Sequence, residues 1–411
     1  MLTVIGFLLF WSAALWNEVD GFLVFLGLLL AGSAFSVPTL SNMRVNSRHV
    51  LALWAIAFMG FRLLLPSDLM DLTMVKVGTA FALAVIAAGW FASRSTNHIR
   101  LRISISVLAA VGFGLIALIA PPPGIDIYRV HIAAGQLIVE GIDPYVALNV
   151  PVNPSVPEAA VVGYPYPPIN LITYALVASF ADPRLVSVVA WITLVSVIAI
   201  RTAGDVPRWW LLLYMIVAPA VVPLLVGTFT ETLAAALVVT TFVCYERRPG
   251  AITSFLHGVA ISSKQHLTAG APGGALSFRH LRTAAWYLFG VAASLASGLL
   301  ISPAGYSNAV FQNAATLNPN PYSASLYGLL GFRTPIVLAV LVAVAIGLLV
   351  GLKQRSPNLR PLLWSVAVFL FLGSNTIWSH WMLVGWLATF EGLGTRARFE
   401  TNRAIATAPT L

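Results

Sequence analysis

The chain of 411 residues is 59% hydrophobic and only 9% charged, and its mean hydropathy is +0.88. This composition excludes an ordinary soluble domain and indicates a polytopic membrane protein. The formal net charge of +9 does not indicate nucleic-acid binding, because the basic residues are scattered in short clusters between apolar runs.

Apolar runs close to the length that crosses a bilayer recur along the chain. They lie at about 2–16, 21–37, 50–66, 72–92, 103–120, 184–200, 209–226, 229–245, 283–302, 335–352, 361–376 and 378–393. We therefore predict an all-α membrane protein with about twelve transmembrane helices. Two further segments, 168–181 and 251–278, are interrupted by Pro, Gly or polar residues and predict half-helices or a re-entrant hairpin.

The distribution of Lys and Arg over the short loops predicts the orientation in the membrane. It places the N-terminus and the tail 394–411 in the cytoplasm. The insertions 121–168 and 303–334 then fall on the extracytoplasmic side, as part of the predicted cytoplasmic-membrane topology. The acidic residues concentrate on that same outer side.

The insertion 121–168 is the one long polar stretch between two strongly hydrophobic segments. Clustered carboxylates, prolines and irregular backbone occur at membrane depth only where water or a protein-walled cavity satisfies them. We therefore expect the chemistry of the protein in this insertion. The single cysteine, Cys244, excludes a disulfide framework or a zinc cluster of cysteines within one chain. No Walker loop, dinucleotide fingerprint or HExxH motif is present, so no cofactor is expected.

Several motifs of the chain occur in an order that is typical of one family. Asp126-x-Tyr128 is followed by Gly141-x-Asp-Pro-Tyr145 and by Tyr-Pro-Pro at 166–168. The later motifs are Gly227-Thr-Phe-Thr-Glu231, Gly258-x5-Lys264, Asn320-x4-Ser325 and Trp378-Ser-His380-Trp381. Over about residues 105–393 this pattern resembles the GT-C-type integral membrane glycosyltransferases. Within these it resembles the bacterial polyprenol-phosphate-mannose-dependent α-mannosyltransferases of the phosphatidylinositol-mannoside type.

The resemblance implies an architecture and an activity. The chain would comprise an N-terminal four-helix extension over 1–102, a GT-C-like catalytic membrane domain over 103–393 and the cytoplasmic tail. The catalytic domain would transfer a monosaccharide, with mannose as the expected sugar, from a polyprenyl-monophosphate donor to a lipid-linked or cell-envelope glycan acceptor outside the cytoplasmic membrane. The chain departs from the family pattern in one respect, because that family usually has a single helix before its catalytic loop.

Asp126 is the candidate general base of such a transfer. An inverting glycosyl transfer needs a carboxylate that accepts the proton of the acceptor hydroxyl. The structural alternative is that Asp126 caps a helix over 127–140, because Asp is a preferred N-cap residue. Arg129 would share the helix face of Asp126 and either contacts the donor phosphate or pairs with the Asp126 carboxylate.

Lys264 is the second candidate, because an ammonium inside an apolar hairpin is costly and by default indicates function. We expect it to bind the donor phosphate, together with Arg129, His266 and His380. The alternative is a lysine that extends to the membrane interface with its stem in lipid. A lipid monophosphate carries little charge, so the site is expected to work without a metal.

Aromatic and polar residues on the outer side are candidates for sugar or acceptor binding. They are Tyr128, Tyr145, Tyr166, Glu231 and Asn320, with Tyr164 beside them. Tyrosines are equally usual at membrane interfaces, and Glu231 could instead cap a helix. Asp143 is predicted to form a turn rather than to bind a metal with Asp126.

Two other functional classes fit the composition. A transporter or lipid flippase would also have about twelve spans, and Lys264 could then be a coupling residue. The absence of an internal repeat in the sequence argues against it. A non-enzymatic assembly partner is the third class. The expected partners in every case are membrane lipids and lipid-linked substrates, not nucleic acid.

Overall fold

The computed structural model describes residues 72–94, 98–123, 125–153, 156–218, 221–278, 280–312, 334–354, 357–372 and 378–391. The predicted spans at 2–16, 21–37 and 50–66, most of the insertion 303–334 and the tail 394–411 lie outside these ranges. The described part of the chain is all-α apart from one two-stranded hairpin.

The helices fall on both sides of the proline-rich turn near residue 219. The first group is α1 Leu72–Ala92, α2 Ile99–Ile119, α3 Asp126–Val139, α4 Pro144–Ala147, α5 Pro168–Ala178, α6 Arg184–Thr202 and α7 Val206–Val217. The second group is α8 Val221–Val226, α9 Thr230–Arg247, α10 Ala251–Ile261, α11 Gln265–Thr268, α12 Ala271–Leu276, α13 Leu281–Ile301, α14 Pro303–Tyr306, α15 Ile336–Leu352, α16 Arg360–Leu372 and α17 Trp378–Glu391.

Among the described residues, α2, α6 and α13 are long and apolar enough to cross a membrane, judged by length and composition alone. Shorter apolar helices include α1, α7, α10, α15 and α16. The described chain is thus helical and apolar, as the sequence predicts. The bundle of about twelve transmembrane helices remains an expectation.

Three sequence predictions differ from the structure. The predicted span 209–226 consists of two helices, because α7 ends at Val217, before Pro219, whose nitrogen cannot donate a helical hydrogen bond. The boundary at 102/103 falls inside the first turn of α2, which begins at Ile99. The strands β1 Asn149–Asn153 and β2 Val156–Val162 pair antiparallel inside the insertion 121–168, which was predicted to contain helices only.

Helix α1 belongs to the same hydrophobic core as the helices that follow it. The ring of Phe81 packs edge-on against Phe113 of α2, with 5.0 Å between the ring centroids. Aromatic pairs favour this edge-to-face geometry because the ring edge is positive and the ring face negative. The one described helix of the N-terminal extension is therefore packed directly on the predicted catalytic domain.

Helices α10 and α13 pack closely because glycines lie at their contact. A Cβ atom added at Gly258 would stand 2.0 Å from the carbonyl oxygen of Tyr287, and one at Gly290 would stand 2.1 Å from that of Phe255. Small residues at a helix interface allow two backbones to approach in this way. This contact supports the helical hairpin that carries Lys264.

A second, smaller core holds the polar insertion against the helices. It consists of buried side chains from α3, α5, the strand β1 and the segment after α13. Tyr145, Tyr164 and Tyr306 lie at its centre, with 5.8 Å between the rings of Tyr145 and Tyr164 and 5.3 Å between those of Tyr145 and Tyr306. The insertion is therefore an ordered layer over the helices, and its inner surface meets the site described below.

Candidate functional site

A break in the helical hairpin exposes Lys264 to the interior of the protein. Helix α10 ends at Ile261 and α11 begins at Gln265, while Lys264 between them has extended backbone angles. Two hydrogen bonds fix the break against the polar insertion. The side-chain amide of Asn170 donates to the Ser263 carbonyl at 2.6 Å, and that of Gln265 donates to the Pro165 carbonyl at 2.7 Å.

A strained turn places Glu231 opposite this break. Thr228 adopts a φ of +56°, which a β-branched residue rarely adopts, at a cost of about 1–3 kcal/mol. Backbone hydrogen bonds hold it: Thr228 N–H donates to the Leu225 carbonyl, and Phe229 N–H donates to the Leu224 carbonyl, both at 3.2 Å. The turn starts α9 at Thr230, so that Glu231 lies in the first helical turn, where the helix dipole favours a negative charge.

Glu231 and Lys264 form a buried ion pair. The Lys264 ammonium lies 3.0 Å from Oε1 of Glu231 and donates to the Thr230 hydroxyl at 2.6 Å. Nε2 of His380 lies 3.3 Å from the same carboxylate oxygen. Glu231 is 1% exposed and Lys264 is 5% exposed. A charge pair so far from solvent is costly to desolvate and weak evidence for stability, so a functional role is the better explanation.

His266 and His380 complete the cluster on the side of α16 and α17. Their ring centroids are 4.8 Å apart, and the ring of Phe369 stacks beside His266 at 6.3 Å. One ligand-type atom from each of Glu231, His266 and His380 lies within 4.8 Å of the others. Two imidazoles and one carboxylate are a donor set that could hold a divalent transition metal.

Tyr166 connects this cluster with the polar insertion. The Lys264 ammonium lies 5.4 Å from the centroid of the Tyr166 ring, at a cation–π distance. The Tyr166 carbonyl accepts a hydrogen bond from the Tyr145 hydroxyl at 3.1 Å. Burial raises the pKa of the Tyr166 phenol, and the nearby Asp126 and Glu231 carboxylates raise it further. Tyr166 is therefore a neutral hydroxyl in the field of both carboxylates.

Asp126 lies at the N-terminus of α3, on the other side of Tyr166. The N-cap position belongs to Ile125, and Asp126 is the first helical residue, whose Oδ1 accepts from the Ile127 N–H at 2.8 Å. Burial raises the pKa of Asp126, while that hydrogen bond and the charge of Arg129 oppose the shift. A carboxylate with a raised pKa is a stronger base than an exposed aspartate.

A fully buried histidine supports the floor of the site. Nδ1 of His131 lies 3.1 Å from the Tyr164 hydroxyl, and its ring stacks on Tyr174 with 4.5 Å between the centroids. Burial lowers the pKa of His131 to about 3, against a smaller opposing effect of the Thr228 backbone. His131 is therefore neutral at physiological pH and serves as a packed hydrogen-bonding partner, not as a charge.

The structure brings together five of the residues that the sequence singled out. They are Lys264, His266, His380, Glu231 and Tyr166, from four separate segments of the chain. In this cluster Glu231, expected as a sugar-binding residue, is the ion-pair partner of Lys264. The prediction that Lys264 extends to the membrane interface is wrong, because its ammonium is buried in this ion pair.

Other candidates lie elsewhere. The Arg129 guanidinium donates to its own helix, to the Ile125 carbonyl at 3.4 Å, and its charge acts on Asp126. The ring of Tyr128 lies 5.9 Å from the guanidinium of Arg184, which pairs with Asp182.

Tyr145 is 2% exposed and reaches the site only through the Tyr166 carbonyl. Asp143 caps α4, because its carboxylate accepts from the Tyr145 N–H at 2.9 Å, in agreement with a turn-forming role. Asn320 lies outside the described residues.

Three residues of the site had no role in the sequence interpretation. Thr230 accepts from Lys264, Asn170 fixes the hairpin break, and His131 supports the tyrosine floor. Thr230 directly precedes Glu231, so its position beside the cluster could have been anticipated. His131 and Asn170 give no comparable signal, since isolated polar residues in apolar helices pack against partners that the sequence does not identify.

Comparison with known protein families, with curated proteins and with solved structures finds no match to this chain. The family resemblance of the motifs therefore rests on the residues themselves and on their arrangement in the structure.

Proposed function

We propose that the chain is an integral membrane glycosyltransferase of GT-C type. It transfers a monosaccharide, with mannose as the expected sugar, from a polyprenyl-monophosphate donor to a lipid-linked or glycan acceptor on the extracytoplasmic side. The observation that carries the proposal is the position of Tyr166 between two groups of opposite use. Asp126 lies on one side as a buried carboxylate, and Lys264 lies on the other with the two histidines.

This arrangement matches the charges that develop during an inverting transfer. The Asp126 carboxylate accepts the proton of the acceptor hydroxyl, whose oxygen forms the new bond to the anomeric carbon. The bond from that carbon to the phosphate oxygen breaks at the same time, and the polyprenyl phosphate leaves with the electron pair. Lys264, His266 and His380 line the position where that leaving charge appears, and hydrogen-bond donors placed there stabilise the transition state.

Burial of both ends supports the assignment. The raised pKa of Asp126 makes it a better proton acceptor, and the buried position of the Lys264 ammonium strengthens any contact with a phosphate. The neutral hydroxyl of Tyr166 stands between them, where it can donate to a sugar oxygen. The N-terminal helices would anchor the enzyme in the membrane and keep it beside its lipid-linked donor.

The deciding experiment is a transfer assay with membranes that contain the full chain. A radiolabelled polyprenyl-phosphate sugar and a crude lipid acceptor fraction are supplied, without an ion or proton gradient. We expect label to move to the acceptor with the wild-type chain and not with Asp126→Asn. The amide preserves the shape of the side chain but cannot accept the proton. Glu140→Gln, at an exposed carboxylate just after the same helix, is the matched control and should retain activity.

The outcomes separate this function from transport. Consumption of donor by wild type and by Glu140→Gln, with loss in Asp126→Asn, supports the enzyme. Asp126→Asn activity within about threefold of wild type would remove Asp126 from the role of base. Donor that crosses the bilayer unchanged, in a manner that depends on Lys264, would instead indicate a flippase.

A further inference from the structure

The charges of the cluster do not by themselves favour a phosphate. The Glu231 carboxylate, 3.0 Å away, already offsets the Lys264 ammonium. His266 and His380 add no charge as neutral imidazoles, and the Arg129 charge acts on Asp126 instead. A phosphate that enters the site would therefore meet one carboxylate for every ammonium. A departing phosphate monoester needs additional positive charge, and a bound cation could supply it.

The geometry shows where a cation would bind. Glu231, His266 and His380 come from α9, α11 and α17 and direct one ligand-type atom each into a space where these atoms lie within 4.8 Å of one another. Nε2 of His266 is buried and has no hydrogen-bond partner among the described residues, although His266 is only 7% exposed. A buried ring nitrogen without a partner is costly, and a metal ion would satisfy the imidazole.

We propose that Glu231, His266 and His380 bind a divalent transition-metal ion, for which Zn²⁺ is the best match. Two imidazoles and one carboxylate are a donor set found in catalytic zinc sites, which keep a further position open. Harder ions such as Mg²⁺ and Ca²⁺ prefer oxygen ligands. Zinc–ligand distances of about 2.0–2.2 Å place tetrahedral ligands roughly 3.3 Å apart, so metal binding draws the three side chains closer by small rotations.

The ion would also explain the position of Lys264. The part of the inference that concerns the phosphate rests on the proposed function. The metal takes one phosphate oxygen at its open position, the Lys264 ammonium donates to another, and Glu231 ligates the ion. The site then carries a net charge of +2, which suits the dianionic phosphate that leaves. This proposal replaces the expectation of a metal-independent site.

Metal content is the first test and does not depend on transfer activity. The full chain is purified without metal-affinity resin, and its metal is measured by plasma mass spectrometry. The chelated protein is then titrated with Co²⁺, whose visible absorption reports tetrahedral coordination. We expect about one ion per chain and intense Co²⁺ bands in wild type. His266→Ala and Glu231→Gln should weaken metal binding by at least about 100-fold.

His257→Ala is the matched control. His257 is also a buried histidine, but it lies against Thr241, with 3.0 Å between its Nδ1 and the Thr241 hydroxyl. Its removal should leave the Co²⁺ spectrum unchanged. Size-exclusion profiles of all variants in detergent report whether they fold. If His266→Ala does not fold, Glu231→Gln gives the answer, and His380→Ala offers a third ligand to test.

The possible results separate the two proposals. Substoichiometric metal, or a Co²⁺ spectrum that is the same in wild type and in folded ligand variants, overturns the metal site. Stoichiometric metal without transfer keeps the metal site and removes the proposed function. Transfer that is equally fast in metal-free, chelator-treated enzyme keeps the function and overturns the metal proposal.

Discussion

The Lys264 ammonium and the Glu231 carboxylate lie 3.0 Å apart in the interior of the protein, and both side chains are almost completely buried. The two residues are 33 positions apart and come from different helices. The pair is formed because a strained turn at Thr228 and a broken hairpin at Ser263 face each other. The same arrangement that stabilises the pair also aims it at Tyr166 and at the polar insertion.

The first prediction concerns the stability of this pair. Glu231→Gln leaves the Lys264 ammonium buried without its neutralising carboxylate, and the loss should be about 3–5 kcal/mol in the free energy of unfolding. The double variant Lys264→Met with Glu231→Gln removes both charges and should recover most of that loss. Thermal unfolding in detergent measures both. A double variant that is as unstable as the single variant would show that the ion pair is not what holds these helices.

The second prediction concerns the use of the donor. Lys264→Ala should reduce kcat/KM for the donor by roughly 30- to 1,000-fold, because a charge-assisted phosphate contact in a low-dielectric site contributes about 2–4 kcal/mol. Lys264→Arg keeps the charge in another geometry and should recover only part of the loss. Lys76→Ala, at an exposed lysine of α1, is the control. Equal behaviour of the two alanine variants would remove Lys264 from the donor site.

The third prediction is the pH dependence of transfer. Burial raises the pKa of Asp126, so the ionised base is lost as the pH falls through a value above the usual range of aspartate, and activity falls with it. The Arg129 charge opposes this shift. Arg129→Met should therefore move the acid limb of the kcat/KM profile to higher pH, while Arg100→Met, at an exposed arginine of α2, should not move it. A limb that moves to lower pH in Arg129→Met contradicts the assignment.

The sequence predicts the helices well and the contacts between them poorly. The apolar runs at 184–200 and 229–245 coincide closely with α6 and α9, because long apolar stretches have few alternatives to a helix. Lys264 and Glu231 were both recognised as unusual charges. Their pairing was not, because it depends on a φ of +56° at Thr228, a conformation that no local pattern of a β-branched residue predicts.

The hairpin β1–β2 was missed for a related reason. Its strands contain Pro151 and Pro157, which are unfavourable in the interior of a sheet and are tolerated only at edges or bulges. The pairing is irregular between Pro151 and Asn153. A sequence interpretation that treats proline as a break therefore assigns this segment to a loop.

The fourth prediction tests the contact that supports the Lys264 hairpin. Gly258→Ala places a methyl group 2.0 Å from the Tyr287 carbonyl oxygen, so α10 and α13 must separate, at a cost of about 3 kcal/mol or more. Gly78→Ala is the control, because a Cβ at Gly78 meets nothing within 4 Å. In that exposed helix, alanine should be stabilising by about 0.5–1 kcal/mol. Apparent unfolding temperatures that shift in the same direction for both variants would contradict the close helix contact.

The fifth prediction concerns the side of the membrane on which the site opens. Lys and Arg in the short loops place the insertions 121–168 and 303–334 outside the cytoplasm. In a Cys244→Ser background, cysteines introduced at Glu158 and Asn313 should react with a membrane-impermeant maleimide in intact cells. A cysteine at Arg355, in the loop between α15 and α16, should react only after the cells are opened. The opposite labelling pattern would place Asp126 on the cytoplasmic side, where a donor facing outward could not reach it, and the proposed reaction would have to be drawn with a cytosolic donor.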